Sequence, residues 1–80
     1  MTERPTPNDR FYEALSEILS LGLVSVNRFC AEIGHDKRNF YKKMANHSLL
    51  IPAGWMEHLV LRYGVSADWL LTGRGWMFGE

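Results

Sequence analysis

The chain has 80 residues, of which 46% are hydrophobic and 22% are charged, and its formal net charge is zero at a sequence pI of about 6.8. This size and composition favour one soluble globular domain with a modest core and leave no room for a second domain. Neutrality argues against a protein that coats nucleic acid regardless of sequence, because such proteins are usually basic overall. A role on DNA therefore requires locally concentrated positive charge.

Cysteine content and hydropathy narrow the class of protein further. Cys30 is the single cysteine, which excludes an intrachain disulfide and a paired-cysteine zinc or redox site and favours a reducing compartment. No apolar run approaches the roughly 20 residues that span a bilayer, and residues 1–7 lack the apolar core of a signal peptide. We therefore expect a soluble, cytoplasmic protein with no membrane partner.

The N-terminal part of the chain predicts a flexible arm followed by two helices. Residues 1–7 hold two prolines and no apolar period, so we expect a frayed arm. From residues 8–9 onward apolar side chains follow helical spacing, and Gly22 is expected to end this first helix. Ser25 then caps a short second helix, which Gly34 closes. The inward positions of these two helices are Phe11, Leu15, Ile18, Val26, Phe29, Cys30 and Ile33.

A third predicted helix concentrates positive charge. It runs from Asp36, a suitable N-cap, to Asn46, a suitable left-handed stop. Phe40 and Met44 supply only a thin inward stripe, so the outward face is broad and polar. We expect this helix to lean on the second one for stability. Four of the nine basic residues lie on it: Lys37, Arg38, Lys42 and Lys43.

Two further helices are predicted before an apolar tail. Pro52 suits the first turn of a fourth helix, which Gly64 ends. Ser66 caps a short fifth helix, which Gly73 ends. The tail at residues 74–80 either packs back on the domain or meets a partner. The expected inward residues are Met56, Leu59, Val60, Tyr63, Trp69, Leu70 and Leu71. Five helices without a strand signal predict an all-α domain.

Two motifs in the chain carry a family resemblance. They are FCAEIG at residues 29–34 and YGVSADWLLTG at residues 63–73. Two short helices joined by a glycine-containing turn, the second one basic, also fit a helix-turn-helix. Over residues 10–73 the chain resembles the lambda-repressor-like helix-turn-helix family of the Cro/C1 or Xre type. The resemblance implies a compact five-helix bundle over residues 8–73, usually dimeric, that binds double-stranded DNA at pseudo-palindromic operators and controls transcription, as a phage-type repressor does.

The resemblance and the side-chain chemistry together nominate residues that contact DNA. The third helix is expected to lie in the major groove, where arginine or lysine can donate to guanine and asparagine can pair with adenine. The expected base-contacting residues are Lys37, Arg38, Asn39, Tyr41 and Lys42. The expected phosphate-contacting residues are Ser25, Arg28, Lys43 and His47.

Three departures from the family keep a second function open. Val26 stands where many relatives have a glutamine, Met44 where many have a glutamate, and Asn46 where many have a glycine. Val26 and Met44, with the neutral net charge, also fit a protein-interaction module, an antirepressor or adaptor that uses the aromatic tail at residues 76–78. Trp55 and this tail either form a subunit interface or cover the domain's own core. Two further alternatives stay open. One is that the basic face serves only as a solvated surface, and the other is that the chain is the N-terminal part of a longer repressor.

No combination of residues predicts catalysis or a cofactor. The three histidines share no helix face or ligand spacing, and Cys30 does not complete a tetrahedral metal site. There is no Ser/His/Asp order, no glycine-rich phosphate loop and no convergent carboxylate pair, and a bundle of this size has little room for a closed pocket. We expect a non-enzymatic protein without metal, cofactor or small-molecule substrate, in which Cys30 is a small buried hydrophobic residue.

Overall fold

The computed structural model describes residues 5–46 and 51–78, and within these ranges it contains five α-helices and no strand. The predicted all-α fold, with its number and order of helices, is confirmed. The helices are α1 (Pro7–Ser20), α2 (Val26–Ile33), α3 (Lys37–Ala45), α4 (Ala53–Tyr63) and α5 (Ala67–Thr72).

Helix α1 begins earlier than the sequence predicts, because its first turn is closed by a capping box. The Thr6 hydroxyl accepts a hydrogen bond from the Asp9 N–H at 3.2 Å, and the Asp9 carboxylate accepts one from the Thr6 N–H at 3.0 Å. Pro7 occupies the first helical position, where its missing N–H removes no intrahelical bond. The described end of the predicted arm, residues 5–7, therefore belongs to this cap, and residues 1–4 lie outside the described ranges.

Most of the predicted helix ends are confirmed, but the end of α3 is not. Ser25 and Ser66 accept capping hydrogen bonds at the starts of α2 and α5. Asn46 has φ −132° and ψ 92°, which is extended, so the predicted left-handed stop is wrong. Its N–H donates to the carbonyls of Lys42 and Lys43 at 3.2 Å, which ends the helix without the steric cost of a left-handed Cβ. Left-handed glycines follow the other helices as predicted: Gly22, Gly34, Gly64 and Gly73.

Two helix starts differ in detail from the prediction. Asp36 is the N-cap residue of α3, but its side chain makes no capping hydrogen bond within the described residues. Pro52 precedes α4 as its N-cap residue, with φ −57° and ψ 139°, instead of lying inside the first turn. Its fixed φ fits either position, so the sequence could not choose between them.

Phe29 of α2 is the centre of an aromatic core. It is fully buried, and its ring centroid lies 6.3 Å from that of Phe11 in α1 and 5.9 Å from that of Phe40 in α3. The same ring lies 5.7 Å from the His58 ring of α4. Helix α3 is therefore attached to the domain mainly through Phe40. Cys30 is buried as predicted, and this burial raises the pKa of its thiol.

The structure decides the environment of two apolar side chains, Trp55 and Leu71. Trp55 is buried in the domain's own core, in ring contact with Phe11 and Phe40, which decides between the two alternatives for it. Leu71 is 58% exposed, so its predicted inward position is wrong. Helix α5 has only six residues and turns Leu70 to the core, which leaves the adjacent Leu71 side chain on the outer face.

Arg10 ties α1 to α5 through a buried guanidinium group. Its Nε donates to the Leu70 carbonyl at 2.8 Å, and Nη2 donates to the Leu71 carbonyl at 2.9 Å. Nη1 donates to the Pro5 carbonyl at 2.9 Å. Carbonyls in the last turn of a helix have no intrahelical partner, so a side chain of α1 completes the hydrogen bonding at the end of α5.

The tail packs back on the domain after α5. The Ser66 N–H donates to the Met77 carbonyl at 2.8 Å, and Val65 and Phe78 form an isolated antiparallel bridge. Met77 and Phe78 are partly buried against the core, whereas Trp76 is 80% exposed. Residues 74–78 are therefore part of the fold, and Trp76 is the one large apolar side chain among them that is directed to solvent.

Candidate nucleic-acid interface

The outer surface of α3 carries every predicted base-contacting residue. All five are exposed, which leaves their polar groups accessible: Lys37, Arg38, Asn39, Tyr41 and Lys42. A helix advances about 100° per residue. With Phe40 and Met44 directed inward, Arg38 and Lys42 lie near the middle of the outer face. Lys37 and Tyr41 then fall on one flank, and Asn39 and Lys43 fall on the other.

The flank that includes Asn39 is concave. A depression of about 310 Å³ is lined by His35, Asn39, Lys42 and Lys43. The His35 ring is held edge-on against Trp55, with ring centroids 4.7 Å apart. The sequence nominated the last three lining residues for DNA contact, but not His35 and not the grouping of the four.

The start of α2 brings two predicted phosphate-contacting residues together. The Ser25 hydroxyl oxygen accepts from the Arg28 N–H at 3.1 Å, so the cap is made while its O–H remains able to donate outward. The Arg28 guanidinium is largely exposed and lies 3.4 Å from the Glu32 carboxylate. Arg62 of α4 lines the same shallow pocket, and sequence reasoning missed it because it comes from a distant helix. His47, the remaining predicted phosphate contact, lies outside the described residues.

A hydrogen-bonded cluster fixes α2 to α4 behind this surface. Glu32 Oε1 accepts from the Tyr63 hydroxyl at 2.7 Å and lies 2.8 Å from His58 Nε2. Because a carboxylate only accepts, the proton in the second bond belongs to His58 Nε2. These two bonds lower the pKa of the Glu32 carboxyl group, Tyr63 contributing most. Burial, and then the bond to Glu32, raise the pKa of Tyr63.

The cluster was not visible in the sequence. Glu32 belongs to the first family motif, yet its partners lie 26 and 31 residues further along the chain. Helical periodicity relates residues only three or four positions apart. The sequence pattern therefore could not predict this polar connection, which fixes the position of α2 relative to α4.

Comparisons with protein-family models, curated proteins and solved structures gave no match for this chain. Among residues 5–46 and 51–78, no group of three or more His, Cys, Asp or Glu side chains is arranged to hold a metal ion. Over the same part of the chain, no helix has the length and apolar character needed to cross a membrane. The choice of function therefore depends on the chain's own residues.

Proposed function

We propose that this protein is a sequence-specific DNA-binding transcriptional regulator of the phage-repressor type, acting as a homodimer with α3 in the major groove. The observation that carries the proposal is the outer face of α3, which is exposed and holds the cations Lys37, Arg38 and Lys42. The same helix is anchored from behind by Phe40 packed on Phe29. A rigidly backed helix with donors on its outer face suits base readout, because the donors keep a fixed register.

Charge is distributed over the surface in a way that favours one binding face. Basic side chains project from α3, and Arg28 and Arg62 are exposed near the start of α2. The outer side of α1 is acidic, with Glu13 and Glu17 exposed. Phosphate groups attract the basic side chains and repel Glu13 and Glu17, so we infer that α1 faces away from the DNA.

The start of α2 supports the same orientation. The N-terminus of a helix has partial positive charge and attracts phosphate groups. In helix-turn-helix proteins the first helix of the pair contacts the backbone while the second reads bases. Ser25 and Arg28 stand at the start of α2, and α3 follows after only three residues. We therefore assign backbone contact to α2 and base contact to α3.

Helices α4 and α5 carry a candidate surface for the homodimer. Leu61 is 77% exposed and, with Leu71, borders an apolar groove between α4 and α5. We assign a second copy of this chain to the groove, because a twofold contact at this surface would remove Leu61 and Leu71 of both copies from water. Mass measurement across concentration tests this, and a monomer up to the highest soluble concentration refutes it.

The first experiment is selection from a pool of randomised DNA duplexes, with fluorescence-anisotropy binding at low and near-physiological salt. We expect enrichment of a palindrome whose half-sites are one helical turn, about 10 base pairs, apart. Weak binding that enriches no sequence and vanishes with salt contradicts the proposal, because it is the behaviour of non-specific phosphate attraction.

A matched pair of arginine variants sharpens the test. Arg38→Ala is expected to cost roughly 1 to 3 kcal/mol per half-site and to relax the preference at one base pair. Arg74→Ala removes the same charge from an exposed site in the tail and is expected to change neither affinity nor preference appreciably. A loss with Arg38→Ala that is equal for all sequences shows that Arg38 contacts only the backbone.

A second candidate function is a protein-interaction module centred on the tail. The observation that favours it is Trp76, which is 80% exposed while the next two residues pack on the core. Trp76→Ser removes the aromatic group and leaves the Met77 hydrogen bond and the Phe78 bridge in place. Loss of self-association or partner binding with unchanged DNA affinity assigns Trp76 to assembly, and no change in either excludes it from both roles.

A further inference from the structure

The two flanks of α3 differ in shape, because only one of them borders a depression. The depression lies on the Asn39 side of the helix and is bounded by His35, Asn39, Lys42 and Lys43. Asn39 and Lys43 are spaced i, i+4 on α3 and share one side of the helix, whereas His35 precedes the helix and is placed there by its packing on Trp55. Lys37, Arg38 and Tyr41 do not line the depression. They instead project from the remainder of the outer face.

The depression has a fixed side and flexible cationic sides. His35 is half-buried, and its ring is packed against buried Trp55, so that wall is held by the core. Lys42 and Lys43 contribute ammonium groups on long side chains, and Asn39 contributes a carboxamide donor. No carboxylate is among its lining residues in the described part of the chain. The depression has a volume of about 310 Å³ and is open to solvent.

This chemistry fits an anionic oxygen cluster better than the edge of a base. A phosphodiester presents only acceptors, and the two ammonium groups and the Asn39 amide N–H can donate to them. Phosphates protrude along the rim of the major groove and can enter a recess, whereas base edges lie at its floor and need projecting side chains. The pocket at the start of α2 is less suited to an anion, because the Glu32 carboxylate lines it beside Arg28.

We propose that the depression lined by His35, Asn39, Lys42 and Lys43 seats one phosphodiester of the DNA backbone. Asn39 and Lys42 then position α3 along the groove, and sequence readout belongs to Lys37, Arg38 and Tyr41. This inference rests on the proposed DNA-binding function and divides the residues of the same surface between two roles.

The test combines protein variants with single uncharged phosphates. Each phosphate of the selected operator is replaced in turn by a methylphosphonate, and affinity is measured for the intact protein, Lys43→Gln and Asn39→Ala. We expect one position per half-site at which the replacement weakens the intact protein about tenfold but weakens Lys43→Gln much less, because the charge pair is already lost. Lys43→Gln is also expected to lower the salt slope by about one per subunit.

Base preference supplies the second readout. Asn39→Ala is expected to reduce affinity by a similar factor for every single-base-pair variant of the operator, whereas Arg38→Ala changes the preference at one position. Far-ultraviolet circular dichroism confirms that the variants keep the fold. Relaxed preference with Asn39→Ala, or equal methylphosphonate effects in intact and Lys43→Gln proteins, overturns the phosphate seat alone. Failure of the intact protein to select any sequence overturns the proposed function, and the seat with it.

Discussion

Replacing Arg10 with methionine is expected to destabilise the domain strongly, although Arg10 lies on no candidate binding surface. Methionine retains a long side chain that can fill the space but removes all three hydrogen bonds to the carbonyls of Pro5, Leu70 and Leu71. The end of α5 then loses the partner that α1 supplies. Since α5 has only six residues, it has little stability of its own to compensate.

The size of the effect follows from which of these carbonyls can find water instead. A hydrogen bond to a charged group contributes about 1.5 to 3 kcal/mol, and an acceptor left buried without a partner costs about 1 to 3 kcal/mol. Pro5 and Leu71 are exposed residues, so their carbonyls can be hydrated, whereas the bond to Leu70 is buried. We count the loss of the buried bond to Leu70 in full and subtract what the variant gains because it no longer buries a charged guanidinium. We therefore expect the free energy of unfolding to fall by about 2 to 3 kcal/mol.

Such a loss is a large part of the stability of this domain. At roughly 0.05 to 0.15 kcal/mol per residue, a chain of this length has a free energy of unfolding of about 4 to 12 kcal/mol. For a domain of this size, each kcal/mol lowers the Tm by about 4 to 8 °C. We therefore expect Arg10→Met to melt about 10 to 20 °C below the parent protein.

Urea unfolding followed by tryptophan fluorescence measures the effect, because Trp55 is buried in the folded state. Arg74→Met is the matched control, since it makes the same substitution at an exposed residue and should change stability by less than about 0.5 kcal/mol. Arg10→Lys keeps the charge without the planar fork and should fall between the two. An Arg10→Met protein as stable as the Arg74→Met control refutes the reasoning.

Three further predictions concern the remaining polar and backbone connections. Gly73→Ala should destabilise by about 1 to 3 kcal/mol in the same urea assay, because a Cβ at φ +81° is strained and meets a guanidinium nitrogen at 3.3 Å. Ser25→Ala should cost about 0.5 to 2 kcal/mol through loss of the α2 cap, and an unchanged urea midpoint contradicts this. Glu32→Gln should destabilise the protein at pH 7, because the hydrogen bonds from Tyr63 and His58 hold the carboxyl pKa below its unfolded value. That contribution is complete above the unfolded pKa of about 4.3 and is lost as pH falls through the lower folded pKa, so the gap between parent and variant should narrow as the pH falls below about 4.3.

Local signals in the sequence were sufficient for the helices and most of their ends. Ser25 and Gly34 bracket α2 as predicted, because each acts through bonds to residues within one turn. The sequence could not distinguish between backbone conformations of similar energy. Asn46, for example, ends α3 in an extended and not a left-handed conformation. The exposure of Leu71 depends on which side of a six-residue helix faces the core, and three consecutive apolar residues do not specify that side.

The connections missed by the sequence are those made between distant helices. Arg10 bonds to carbonyls 60 and 61 residues away, and such a contact leaves no sequence signal at the acceptor, because every residue has a carbonyl. Glu32 likewise meets side chains that lie beyond any helical period. The concave flank of α3 was missed because His35 precedes the helix, and its place beside Asn39 is set by packing on Trp55.

The residues that hold α3 in the domain are different from those proposed to contact DNA. Helix α3 depends for its attachment on Phe40, which is fully buried, while Lys37, Arg38 and Asn39 are exposed. Substitutions at the exposed positions remove little packing and should change unfolding by less than about 0.5 kcal/mol. Phe40→Ala, in contrast, should cost about 3 to 5 kcal/mol. Under the proposed function, DNA preference can therefore change along the outer face of α3 without loss of the fold, provided that the core contact of Phe40 with Phe29 remains.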